Sequence, residues 1–303
     1  MNVLLIAGGW SNEREVSLVG AKGLKKALLE LGHTVDFFDP AKEFKFLQDR
    51  AQKADFAFIN LHGSPGEDGL IQAMLNQAGC PYQGAGPEAS FLALNKGATK
   101  TVFDKNNILT PEWELVCPDK DCAGLKILKA PVFIKPNSGG SSIGMTYAKN
   151  DDQIAEGLET IFTAGDSALV ESFTKGYEVT CGILGETPLP LILITPPENA
   201  EFFDYNSKYA LDGAEEICPA PIDKDLTLRI QEITLKVHRL LGLSGYSRAD
   251  FIVSEGDPYI LEVNTLPGMT PTSLVPRAAK AAGYSFNELI ATLMELGLKE
   301  KRK

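Results

Sequence analysis

Over the first ninety residues, short apolar runs alternate with segments whose apolar positions recur at helical spacing. Val3 to Ala7 reads as a buried strand, Val16 to Leu31 as a helix, Thr34 to Asp39 as a second strand and Phe56 to Leu61 as a third. Strand, helix and strand in that order predict a parallel sheet. In such sheets functional loops gather at the carboxyl ends of strands, here Gly8-Gly9-Trp10-Ser11 and His62-Gly63-Ser64-Pro65-Gly66. The pattern changes near Lys96, where a basic helix (Lys96 to Lys105) precedes a block of short strands, Pro131 to Pro136 the clearest. Beyond about Thr180 come a proline-rich stretch (Pro188 to Pro197), a polar loop to Ala220 and a helix from Leu226 to Leu241. Two strands (Ala249 to Ser254 and Tyr259 to Val263) and a closing helix complete the chain. The expectation is an α/β protein (α+β mixed) in three units, residues 1–95, 96–180 and 181–303.

Composition narrows the function. The 303 residues are 44% hydrophobic and 23% charged, which is ample for packed cores and excludes disorder. A net charge of -11 repels a polyphosphate backbone, so nucleic acid is not an expected partner. Cys80, Cys117, Cys122, Cys181 and Cys218 form no CxxC pair and have no nearby histidine for a zinc site, a pattern of free thiols in a reducing cytoplasm. The apolar run after Met1 is too short for a signal peptide, and no stretch of about 18 apolar residues predicts a membrane span. The Lys299 to Lys303 end reads as a frayed helix terminus rather than an anchor.

Two pattern matches carry little. Gly84-Ala85-Gly86-Pro87-Glu88-Ala89 fits a dinucleotide fingerprint, but its preceding strand is too short, and Pro87 suits the first position of a helix. Gly140-Ser141-Ser142-Ile143-Gly144 fits a nucleophile elbow without the strand directly before its serine, the helix directly after it or a placed histidine base. Read instead with Lys135-Pro136-Asn137-Ser138-Gly139, it is a strand ending in a cation and entering a glycine and serine loop, chemistry suited to nucleotide phosphates or to an ordinary hairpin turn. Asp250 on one strand and the i, i+2 pair Glu262 and Asn264 on its neighbour place three hard oxygen donors together, which points to magnesium rather than zinc.

In chain order, Gly8-Gly9-x-Ser11-x-Glu13-x-Glu15-Val16-Ser17, His62-Gly63-x-x-Gly66-Glu67-Asp68-Gly69, Pro81-Tyr82-x-Gly84, Lys135-Pro136 with Gly140 to Gly144, Asp204-Tyr205-x-x-Lys208-Tyr209, Arg248-x-Asp250 and Glu262-x-Asn264-Thr265-x-Pro267-Gly268-Met269-Thr270 resemble the D-alanine:D-alanine ligases of the ATP-grasp superfamily. The resemblance implies an ATP-grasp fold behind an N-terminal parallel-sheet, Rossmann-like substrate domain, with the central unit and the C-terminal unit holding ATP and metal. Trp10 departs from the small or polar residue common at its position, and 210–216 is acidic. It further implies that Lys96, Lys135, Ser142 and Lys208 meet the ATP phosphates and that Glu171 and Glu178 lie near adenine and ribose. Asp250, Glu262 and Asn264 would hold two Mg2+, with Mn2+ as a substitute. Glu13, Ser141 and Tyr209 would form a hydrogen-bonded set at the first D-alanine, lined by Val16 and His62. Arg248 and the Gly268 N–H would face the developing oxyanion, and Ser273 would take the second carboxylate.

The implied reaction activates the first D-alanine as an acyl phosphate, which the second D-alanine's amine attacks, forming D-alanyl-D-alanine for the peptidoglycan precursor. D-alanine and ATP are the expected partners, with no membrane or nucleic acid and with a homodimer as the assembly. The rivals are a D-alanyl-D-lactate or D-alanyl-D-serine ligase, for which Tyr209 is the discriminating residue, and a non-catalytic nucleotide-binding regulator, which would have lost one of Arg248, Asp250, Glu262 or Asn264.

Overall fold

The computed structural model describes residues 1–118, 128–139, 144–195 and 215–301. Val3 to Ala7 are completely buried, because β1 (Asn2–Ala7) is the middle strand of a parallel sheet between β2 (Thr34–Phe38) and β3 (Phe56–Asn60). Val3 is in register with Val35 on one side and Phe56 on the other, and a parallel bridge from Ala57 to Tyr82 extends the edge. Helix α1 (Arg14–Glu30) begins two residues before the expected Val16 and packs Leu24, Ala27 and Leu28 on this sheet. The short helices α2 (Pro40–Glu43) and α3 (Leu47–Ala51), then α4 (Leu70–Ala78), complete its surroundings.

A second sheet is antiparallel, in the order β4 (Trp113–Val116), β7 (Ala168–Ser172), β5 (Val132–Pro136), β6 (Thr146–Ala148). The helix α7 (Asp151–Thr163), capped by Asn150, buries Ile154, Leu158 and Ile161 against Val132, Ile134 and Val170.

The third sheet runs β11 (Glu215–Ile217), β10 (Ile192–Thr195), β8 (Tyr177–Leu184), β12 (Tyr246–Ser254), β13 (Asp257–Asn264), with β9 (Thr187–Pro188) also on β8. Helix α8 (Lys224–Leu240) covers it, along with α5 (Pro87–Leu94) and α6 (Lys96–Lys105), whose Ala89, Ala93 and Phe103 join Val179, Phe251 and Ile260 in one core. Pro87 does occupy the start of α5.

The expected boundaries shift accordingly. β8 begins at Tyr177, so residue 180 lies inside a strand and the sheets change over within 173–176. After α9 (Leu274–Ala281), the closing helix α10 (Phe286–Lys299) returns to the first sheet, burying Leu289, Ile290 and Leu293 in its core. The first unit therefore takes its last helix from the far end of the chain. Cys80, Cys117, Cys181 and Cys218 are free, and among the described residues no helix is long and apolar enough to cross a membrane.

Candidate active site

The loop after β1 turns on Gly8 and Gly9, both with positive φ (90° and 76°), and a Cβ at Gly8 would sit 2.7 Å from Asp39 Oδ1. The buried Asp39 carboxylate accepts from the Gly9 N–H at 3.2 Å and from Arg14 at 3.0 and 2.5 Å, while Arg14 also donates to the Gly9 carbonyl at 2.6 Å. Ser17 Oγ accepts from the Gly8 N–H at 2.8 Å and donates to the Asn60 carbonyl. These contacts fix the start of α1, so that Glu13 and Val16 face a cavity of ≈ 470 Å³.

From the loop after β3, His62 and Glu67 enter the same cavity. Glu67 accepts from the Gly63 N–H at 2.7 Å, and the Leu266 backbone bonds both Glu67 and His62. Burial pushes the His62 imidazole below its ordinary value, against the pull of Glu13. Burial, helped by Glu13, pushes the Glu67 carboxyl up to about 7 despite its backbone donors and Arg248.

Opposite stands the β12–β13 pair, in which Arg248 is registered with Asn264 and Asp250 with Glu262. Arg248 grips Asp250 with both prongs, at 2.8 and 2.7 Å, and Thr180 donates to the same carboxylate at 2.6 Å. Although burial opposes it, the neighbouring Asp250, Glu262 and Glu178 hold the guanidinium above its ordinary value. The Asn264 amide donates to Glu67 at 2.7 Å and accepts from Arg248 at 3.1 Å.

Asp250, Glu262 and Asn264 all line the cavity, together with Glu178, Gly268 and Ser273. The donor set fits Mg2+: the carboxylates are hard oxygens on adjacent strands, and the third donor is the Asn264 amide oxygen. Among the described residues no group of three or more His, Cys, Asp or Glu converges, so the candidate set counts two carboxylates and one amide. At the far wall, Ser273 Oγ accepts from the Thr270 N–H at 3.1 Å, and a Cβ at Gly268 would lie 2.8 Å from that oxygen.

The lysines sit beside the cavity. Lys96 donates to the Gly139 carbonyl and lies 3.8 Å from Glu262. Lys135 on β5 pairs with Glu171 on β7, a buried carboxylate that Lys100 holds from its other side. Burial would raise the Glu171 carboxyl, but the two ammonium groups bring it down to about 2. The Glu171 carboxylate is thus engaged by lysines, whereas Glu178 faces the cavity. Ser141, Ser142, Lys208 and Tyr209 lie outside the described residues.

Glu67, Glu216 and Lys100 carry no assigned role in the sequence pattern. Glu67 does stand in the His62-Gly63-x-x-Gly66-Glu67 motif, and Lys100 lies one helical turn from Lys96 on α6, the local signals that mark them. Glu216, on β11, lines the cavity and is held by Arg277 at 3.1 Å.

A family model described as "D-ala D-ala ligase C-terminus" matches residues 106–295. The D-alanine–D-alanine ligase of Maridesulfovibrio salexigens is 73% identical over 302 residues, covering all of both chains. The solved D-alanine–D-alanine ligase of Bacillus anthracis complexed with ATP superposes with a TM-score of 0.86 at 32% identity, over 99% of this chain and 98% of that one. The VanG D-Ala:D-Ser ligase of Enterococcus faecalis gives 0.85 at 28% identity, over 98% and 99%. With the three sheets, the shared cavity and this full-length identity in agreement, the chain belongs to the D-alanine–D-alanine ligase family, with its ATP-grasp fold.

Proposed function

We propose that the protein joins two D-alanines at the expense of ATP, releasing ADP and phosphate through an acyl-phosphate intermediate. The observation that carries this reading is one cavity shared by two sets of side chains: Glu13 and His62 from the first sheet, Arg248, Asp250, Glu262 and Asn264 from the third. In this reading Glu13 takes the first D-alanine's ammonium group, and its own loop is held still by Arg14 and Asp39. Lys96 and Lys135 offer fixed cations to the phosphates, and Glu178 faces the nucleotide. Asp250, Glu262 and Asn264 hold Mg2+, which when bound supplies charge neutralisation on the phosphate oxygens. Arg248, oriented by its fork on Asp250, faces the oxygen that turns negative when the second amine attacks, with the Gly268 N–H beside it. Ser273, positioned by Thr270, receives the second D-alanine's carboxylate. In this reading the enzyme works in the cytoplasm, where ATP is supplied.

Support for D-alanine as both substrates comes from the 73% identical relative. The likeness to a D-Ala:D-Ser ligase says that the fold alone does not choose the second substrate. Phosphate release from ATP, assayed with D-alanine, L-alanine, D-serine and D-lactate in turn and in pairs, tests the reading. D-alanine-dependent release of ADP and phosphate with a D-alanyl-D-alanine product is expected. Release that requires L-alanine, or AMP as product, overturns it.

A further inference from the structure

Lys100 is 1% exposed, so it cannot touch a ligand in the cavity, yet a lysine is rarely buried without cause. Its ammonium reaches Glu171 and Thr110 Oγ1. Thr110 donates in turn to the Ile260 carbonyl at 2.7 Å, and the Ile260 N–H returns to Leu109 at 2.9 Å. Lys100 is therefore fixed between β7 and β13, two residues from Glu262. Glu171 is shared: one oxygen faces Lys100 and the other Lys135. Two cations on one buried carboxylate leave a surplus positive charge. Lys135, with 17% of its side chain exposed, is the cation on the open side, within electrostatic reach of Glu262 and Glu178 on the cavity wall. Lys100 faces Asp104 in addition, also at a distance that affects its charge.

That asymmetry has a consequence for phosphate binding. If Lys135 alone neutralised Glu171, moving its charge onto a phosphate would strand a buried anion, which is strongly unfavourable. With Lys100 in place the carboxylate stays compensated whichever way Lys135 turns. We propose that Lys100 is a positioning residue for ATP: it holds the Glu171 carboxylate so that the Lys135 ammonium is free to serve a phosphate. This rests on the reading that Lys135 binds ATP.

The test measures affinity for the non-hydrolysable analogue adenylyl imidodiphosphate with Mg2+, by calorimetry, in the full chain. Wild type binding and a large loss in Lys135→Ala establish the underlying reading; failure of either overturns that reading and the role of Lys100 with it, whereas a failure confined to the Lys100 variants overturns the role of Lys100 alone. Lys100→Met is expected to weaken binding at least about tenfold, because Lys135 becomes the sole partner of Glu171. Adding Glu171→Gln to Lys100→Met removes the stranded anion and should recover at least about threefold of the affinity lost in the single variant. It should do so through KM for ATP more than through kcat. A purely structural lysine gives the opposite result, since the double variant loses more packing and polar contacts than the single one. Unchanged affinity in Lys100→Met, or a double variant no better than the single one, overturns the proposal. Should Lys100→Met not fold, Lys100→Gln is compared with Lys100→Gln/Glu171→Gln in the same way: affinity recovered by the second substitution supports the role, and no recovery removes it.

Discussion

Asn264 on β13 donates its amide to Glu67 at 2.7 Å, so the strand bearing the proposed metal ligands is fastened directly to the loop that follows β3 in the first sheet. The contact joins elements almost two hundred residues apart in the chain. Because Asn264 also accepts from Arg248 at 3.1 Å, a single carboxylate in one unit orients two functional side chains in another.

Glu67 gives a pH prediction. Its folded-state carboxyl is raised to about 7 by burial, above the ordinary value of 4.5 that applies when the chain unfolds. The folded protein therefore holds this proton more tightly, and the stability it contributes is complete below 4.5 and lost as pH rises through 7. Glu67→Gln removes the titration. In buffer without divalent cations, wild type should gain about 2 kcal/mol relative to Glu67→Gln between pH 8 and pH 5.5. Denaturant titrations of both proteins at the two pH values check this through the slope with pH, not the offset. An offset that does not vary with pH refutes the raised carboxyl.

Gly268→Ala should act on the second substrate. The new Cβ would stand 2.8 Å from Ser273 Oγ, whose bonds to Thr270 leave it little room to retreat. Ser273 would be displaced, and the KM for the second D-alanine should rise about tenfold or more while the KM for ATP stays near wild type. Initial rates over a wide D-alanine range separate the two; equal effects on both substrates would contradict the assignment of Ser273.

The sequence carried the two ends of the site well and its middle poorly. β1, β3 and the β12–β13 pair were legible because buried runs stand between glycine-rich turns, and α6 was found at its observed limits. β8 was missed although it is the sheet's central strand: Val179 to Leu184 are buried on both faces, which erases the alternation that marks a strand. The return of α10 to the first core depends on long-range packing of Ile290 and Leu293, for which local pattern has no sign. Glu262 and Asn264 share a face because i, i+2 spacing fixes it, while Asp250 comes opposite Glu262 only through the register of β12 with β13. Lys100 was missed because burial of its ammonium depends on Glu171, seventy-one residues away in sequence and brought close only by the fold.

Asp39→Ala tests the frame around Glu13. Asp39 is buried and compensates Arg14 while also accepting from the Gly9 N–H and, at 3.1 Å, the Ala41 N–H. Its removal leaves the Arg14 guanidinium and two backbone donors without their acceptor, which lowers stability. Chemical denaturation should record that loss. The KM for the first D-alanine should rise as well, because the Gly9 turn that sets Glu13 is no longer held; a variant as stable as wild type would show that the pair contributes nothing.

Arg248→Lys isolates the chemical step. Lysine keeps one positive charge beside Asp250, so the buried carboxylate remains paired and the fold should survive, which Arg248→Met would not guarantee. What lysine lacks is the planar fork that now spans both Asp250 oxygens at 2.8 and 2.7 Å and reaches Asn264. A compact ammonium on a flexible stem cannot hold Asp250 and also present a donor at the oxygen that becomes negative. The loss should therefore fall on the transition state: kcat down roughly a hundredfold to a thousandfold, the range for removal of one oxyanion donor, with ATP affinity within about threefold of wild type. Steady-state kinetics with equilibrium binding of the ATP analogue separates the two. If affinity collapses in step with kcat, Arg248 serves nucleotide binding and the oxyanion assignment fails; if kcat is unchanged, the fork is dispensable and Gly268 alone must carry that charge.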